Sequence, residues 1–174
     1  MDGSDKIEQE INKRKWERWR ARQETEREKP YFFCAPPPPQ PSVLIAPQTT
    51  NVSPGETAAI EIRIDDVEDL AGTDIWLTYD SGIAEITEVQ AVDFSGIAYT
   101  TTGTANNNNQ MKINWADMAN PKTTETPLVY ARITFRAVGS AGQETTLQLE
   151  VKNLANSEFE EIDCNVSDGL IRIV

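Results

Sequence analysis

TAAIEIRID, residues 57–65, alternates apolar and polar side chains, with Ile60, Ile62 and Ile64 on one side and Glu61 and Arg63 on the other. That period of two belongs to a strand with one buried face, and β-branched residues suit a pleated, half-buried surface. LVYARITFRAV, residues 128–138, repeats the pattern, with Val129, Ala131, Ile133, Phe135 and Ala137 inward and Tyr130, Arg132, Thr134 and Arg136 outward. TLQLEV at 146–151 adds Leu147, Leu149 and Val151. Turn signals punctuate these runs: SPGE at 53–56, NNNNQ at 106–110, NPKTTETP at 120–127, GSAGQE at 139–144 and SDG at 167–169. From Ser42 onward the spacing predicts about nine strands and no helix. The expected fold is all-β: two antiparallel sheets packed face to face, a nine-stranded sandwich of jelly-roll or immunoglobulin-like kind.

The first 41 residues read differently. Residues 4–29, SDKIEQEINKRKWERWRARQETEREK, are rich in helix formers, lack Gly and Pro, and open on a capping signal at Ser4, Asp5 and Glu8. A charged helical extension over 1–29 is expected. Its apolar residues form no single stripe, since Ile7 and Ile11 fall near about 0° and about 40° while Trp16 and Trp19 fall near about 180° and about 120°. Such a helix is either solvated or docks through Trp16 and Trp19, exposed Trp being typical of interface hot spots. PYFFCAPPPPQP at 30–41 predicts a stiff Pro-rich spacer whose Tyr31, Phe32 and Phe33 either pack back on the domain, the favoured reading, or are themselves recognised. Residues 42–174 then form the domain.

Composition narrows function by exclusion. The chain has 174 residues, 39% hydrophobic, enough for one cored domain. Residues 1–29 hold 9 basic and 8 acidic side chains, which leaves 7 basic and 20 acidic ones, a net of -13, for residues 30–174. That field opposes phosphate backbones and anionic lipid, so neither nucleic acid nor a membrane surface is the expected partner. With no histidine, Ser-His-Asp and Cys-His hydrolases are excluded. Cys34 and Cys164 form no C-x-x-C, leave a zinc site without ligands, and permit one disulfide. No apolar run of about 18 residues exists, and the first 30 residues are densely charged, so neither a membrane span nor a secretory leader is expected.

More specific is VLIAPQTTNVSPGETAAIEIRIDDVEDLAGTDIWLTYDSGIAEITEVQ, residues 43–90: strand, V-S-x-G turn, strand, acidic loop ending Leu-Ala-Gly, then a strand closing on Tyr-Asp. The L-x-x-A-x-I-x-F-x-A-x-G stretch at 128–139 and the final Ser-Asp-Gly run to Val174 belong with it. Together these resemble a cohesin domain over residues 42–174. The resemblance implies a nine-stranded jelly roll that binds a dockerin, a calcium-loaded helical pair, within an extracellular or envelope assembly. It further implies a binding face on one outer sheet, with Asp74 and Asp117 at the family's acidic contact positions. Lys112, Asn114 and Ala116 point outward beside Trp76, while Ile113 and Trp115 point inward. The stretch GIAYTTTGTANNNNQ, 96–110, departs from the family at its aromatic contact and offers only Tyr99.

Other chemistry is weaker. Asp65, Asp66, Glu68 and Asp69 lack the D-x-[DN]-x-[DN]-G order of a calcium loop and read as a solvated acidic turn. No metal or cofactor is expected in this chain, calcium belonging to the partner. No carboxylate pair stands out for glycoside hydrolysis, so the chain is not expected to be an enzyme. Asn51 and Asn165 begin N-x-S sequons, candidate glycosylation sites. Two alternatives to the dockerin receptor are a structural subunit docking through Trp16, Trp19 and the spacer, and a carbohydrate-binding module using Trp76 and Tyr130 as outward aromatics.

Overall fold

A computed structural model describes residue 17 and residues 39–103, 108–124 and 126–174 of the chain. Apart from residue 17, the predicted helix over 1–29 and the spacer as far as residue 38, with Trp16, Trp19 and Cys34, lie outside the described residues. Residues 39–174 form one compact unit built from twelve strands: β1 (Ser42–Ala46), β2 (Thr49–Val52), β3 (Thr57–Asp65), β4 (Val67–Asp80), β5 (Ala84–Ala91), β6 (Ala98–Gly103), β7 (Asn108–Ala116), β8 (Lys122–Thr124), β9 (Leu128–Ala137), β10 (Glu144–Asn156), β11 (Asn165–Ser167) and β12 (Gly169–Ile173). The expected nine strands were too few because β2, β8 and β11 span only 3 or 4 residues. Runs that short show no readable alternation.

Two sheets form the sandwich, one ordered β11-β1-β3-β9-β5 and the other β2-β12-β10-β4-β7-β6, with β8 on the start of β4. They are mixed, not antiparallel throughout, since β1 runs parallel to β11 and β12 parallel to β2. The N- and C-terminal strands cross between sheets to make these pairs. At one crossing the chain packs so closely that a Cβ on Gly169 would lie 2.6 Å from Ile45 Cγ2, which leaves room only for glycine.

The inner faces supply the core as the alternation predicts. Ile60, Ile62, Ile64, Ile133 and Phe135 from one sheet meet Ile75, Leu77, Met111, Ile113 and Leu147 from the other, all buried. Phe94, in the β5–β6 connection, closes one end, edge-on to Trp115 at 4.9 Å and to Tyr130 at 5.1 Å between ring centroids.

Tyr130 corrects the sequence reading, which placed it outward: it is 0% exposed. Ile62 faces Ala131 and Arg63 faces Val129, so a bulge in β9 skips Tyr130 and puts two successive side chains on the core side. Its hydroxyl shares a 2.6 Å hydrogen bond with Thr73 Oγ1 of β4, a polar tie between the sheets inside an apolar core. Burial pushes the Tyr130 phenol well above its ordinary range. Replacing either partner alone orphans the other. Thr73→Val and Tyr130→Phe should each cost about 1–3 kcal/mol, and the double variant less than their sum, measured by urea denaturation.

On the outer face of the first sheet Glu61 takes two arginines. Its Oε2 accepts from Arg63 Nη2 at 2.7 Å and its Oε1 from Arg132 Nη2 at 2.8 Å. The hydrogen bonds from Arg132 and then Arg63 hold the Glu61 carboxyl below its usual range. A lowered carboxylate pKa stabilises the fold above the unfolded value and ceases to do so as pH falls through the folded one. Both arginines are partly exposed, so Glu61→Gln should cost up to about 1 kcal/mol at neutral pH. That difference should vanish in denaturation curves taken below the carboxylate range.

Candidate functional site

β4 is the longest strand, and its outward residues organise one face of the second sheet. Because β10, β4, β7 and β6 are in register, that face is a set of cross-strand rows. One row is Ala155, Gly72 and Ala116; the next is Asn153, Asp74, Asn114 and Ala98; the third is Glu150, Trp76, Lys112 and Thr100. Asp74, Trp76, Lys112, Asn114 and Ala116 are therefore gathered on one surface. Lys152 lies on the same side by parity with Glu150, and a bulge between Val151 and Asn153 keeps Asn153 there as well.

Within this face the indole and the carboxylate satisfy each other. Trp76 Nε1 donates to Asp74 Oδ1 at 2.8 Å. With its amide nitrogen toward β4, Asn114 donates to the same oxygen at 3.2 Å. Among the described residues no hydrogen bond reaches Asp74 Oδ2, so one carboxylate oxygen stays open to an external donor. Lys112 Nζ lies 4.1 Å and Lys152 Nζ 4.4 Å from the Trp76 ring centroid, and Lys152 is also paired with Glu150. Cation–π attraction and the lysine stems leave Trp76 half-buried, a clamped part of the surface with little free ring.

Asp117 follows β7 and is spent on its own turn. Its Oδ1 accepts from the Ala119 and Asn120 amides at 3.2 and 3.0 Å, an Asx turn that fixes the loop. That loop holds Met118 at the edge of the face, partly exposed.

Phe159 was missed by the sequence reading. It is 79% exposed and has φ of 65°, a left-handed conformation that is costly for a bulky side chain. The turn that presents it is tightly built. Asn156 Oδ1 accepts from the Glu158 and Glu160 amides at 3.0 and 2.8 Å, the Phe159 amide donates to Asn156 O at 3.1 Å, and Ala155 bridges Glu161. Asp69 ties the turn to β4, its Oδ2 accepting from the Ser157 amide and hydroxyl at 3.1 and 2.7 Å. Of the acidic stretch read from the sequence as a solvated turn, Asp69 thus serves as an anchor within β4, while Asp65 ends β3 and its Oδ1 accepts from the Asp66 amide at 3.0 Å. A lone Phe in the polar run ANSEFEE was the signal available.

Phe159, Met118, Asp74 and Asn114 surround a shallow depression of about 440 Å³ floored by Gly72, Ala98, Ala116 and Ala155. Tyr99 is not on this face: it stands opposite Ile113 on the inner side of β6. The remaining predicted sites lie elsewhere. Asn51 in β2 and Asn165 in β11 are exposed, the latter donating to Gln40 Oε1 at 3.3 Å. Cys164 is half-buried, its thiol pushed up by burial and then by Asp163 and Glu161; its proposed partner Cys34 lies outside the described residues.

A search of curated proteins returned no match. Solved structures match the fold. An OlpA cohesin from a type I cohesin–dockerin complex of Clostridium thermocellum aligns over 78% of this chain and 100% of its own at 14% identity, with a TM-score of 0.66. A non-cellulosomal cohesin of the archaeon Archaeoglobus fulgidus aligns over 78% and 92% at 14% identity and TM-score 0.63. The sixth cohesin of Acetivibrio cellulolyticus scaffoldin B, solved with a dockerin, aligns over 78% and 100% at 15% and 0.63. The family model for the cohesin domain matches residues 43–173, and the chain belongs to that family.

Proposed function

We propose that the chain is a non-catalytic receptor module that binds a calcium-loaded dockerin, or a dockerin-like helical pair, on the face built by β10, β4, β7 and β6. The observation that carries this reading is Phe159, a large aromatic held out in an unfavourable backbone conformation by a fully hydrogen-bonded turn. Observed strain of that kind argues for a use outside the fold's own stability. Small residues at Gly72, Ala98, Ala116 and Ala155 let a partner helix come close, and Phe159 and Met118 supply apolar area at its side. Asp74 offers Oδ2 to the helix's donors, its other oxygen held by Trp76 and Asn114 so that the carboxylate arrives oriented. Lys112 and Lys152 clamp the indole and lie within reach of acidic groups on the partner. Asp117 acts by shaping the Met118 loop. The setting is an extracellular assembly, the usual place of cohesins.

The carbohydrate-binding alternative needs a row of outward aromatics and loses Tyr130 to the core, with Trp76 covered by lysines.

The test is calorimetric titration of the full chain with a panel of calcium-loaded dockerins. At least one should bind, and EDTA should abolish it. Asp74→Ala should weaken binding tenfold or more, at a stability cost of only about 0.5–1.5 kcal/mol. Phe159→Asn should weaken binding similarly while leaving the fold as stable or up to about 1 kcal/mol more so, since Asn tolerates the left-handed region. Binding that ignores both substitutions, or failure of every dockerin, would remove this face from the account.

A further inference from the structure

The four end strands of the two sheets are not alike. β11 has 3 residues and β2 has 4. β5 carries Glu85 and Glu88 and is interrupted by a bulge between Ile86 and Glu88. Shortness, charge and bulges are the devices that keep an edge from pairing with another chain. β6, AYTTTG, has none of them: 6 exposed residues, no charge, no Pro, and a register against β7 unbroken from Ala98 to Gly103. Among the described residues β7 is its only strand neighbour. Alternate residues of β6 therefore turn their N–H and C=O groups outward, a template for one more strand.

A cleft of about 270 Å³ opens beside that edge, between β6 and β5. Tyr99 and Thr101 stand opposite the buried Ile113 and Met111, so they occupy core-side positions, yet they are exposed, Tyr99 by 52%. Ile86, Val89 and Tyr99 give the cleft apolar walls, Glu88 lies on its rim and Tyr79 at its base. The Tyr79 hydroxyl accepts only a long 3.5 Å contact from Asn109 Nδ2, and its own O–H has no acceptor among the described residues. Glu85 is paired with Arg136 at 2.6 Å, whereas Glu88 has no ion-pair partner there.

We propose that the β6 edge and this cleft together form a strand-addition site for an extended peptide segment of another protein that carries a Lys or Arg. The segment's main chain pairs with β6. The stem of its basic residue lies along Ile86, Val89 and Tyr99, with the cation at Glu88. Charge selects this occupant over a second copy: the chain carries -12 overall and residues 30–174 carry -13, so two copies repel while a basic segment is attracted. An added strand extends the Asp74 sheet sideways and leaves the Asp74 and Gly72 rows uncovered, so this site stands or falls independently of dockerin binding.

The test is selection of phage-displayed random dodecapeptides against the full chain, followed by hydrogen exchange of the amides with a selected synthetic peptide bound. Enriched peptides should be rich in Val, Ile, Thr and Tyr with one Lys or Arg at a fixed place. β6 amides should gain protection, and Glu88→Lys, an exposed change that leaves the thermal melt alone, should cut affinity tenfold or more. Thr101→Pro should abolish binding, and the exchange readout on the unaltered chain stands if that variant misfolds. Several results would overturn the proposal: no enrichment over the Glu88→Lys chain, enriched peptides lacking a basic residue, or protection confined to β4 and β7. So would a cello-oligosaccharide, and no peptide, perturbing Tyr99 and Glu88, which marks a saccharide site. Dimerisation of the full chain suppressed by Thr101→Pro, again with no peptide selected, would give the edge to a second copy.

Discussion

The strict alternation of β4 binds the core to the surface. Ile75, Leu77 and Tyr79 are buried, so Asp74, Trp76 and Thr78 must lie on the opposite side of the same strand. A slip of one residue would drive a carboxylate and an indole into the core and expose three large apolar side chains. The hydrophobic effect therefore sets the register, and the register in turn builds the rows that place Asn114 and Lys112 beside their β4 neighbours. No residue of the face needs to specify its own position; the inner face has already done so.

Departures from alternation are equally informative. The bulge in β9 sends Tyr130 inward to meet Thr73, and the bulge in β10 turns Asn153 outward beside Asp74. Each adds a contact that a regular strand would forbid. The Thr73–Tyr130 pair joins the two sheets just behind Asp74. Asp74 Oδ2 and the exposed Phe159 are the groups through which the proposed partner would be engaged.

The two sides of the second sheet's far end differ in character. The β10–β4–β7 face is broad, shallow and floored by small residues, a shape that fits the side of a helix. The β6 edge is narrow and rich in unpaired main-chain groups, a shape that fits an extended segment. The two proposed modes of recognition would draw on different groups of one sheet, side chains on its face and backbone at its edge.

Alternation and turn chemistry were legible in the sequence without help. They determined the all-β sandwich, the inward Ile113 and Trp115, and the outward set Asp74, Trp76, Lys112 and Asn114, because side-chain direction in a regular strand follows from parity alone. Spaced motifs added the family. Tertiary structure decided what parity cannot: the bulges that reverse Tyr130 and Asn153, the three very short strands, the parallel pairings of β1 with β11 and of β12 with β2, and the approach of the 156–160 turn to Gly72. Each of these depends on contacts between residues far apart in the chain. Phe159 is the clearest case, since an exposed aromatic in a polar turn looks incidental until the fold sets it beside a depression lined by Asp74, 85 residues earlier in the sequence.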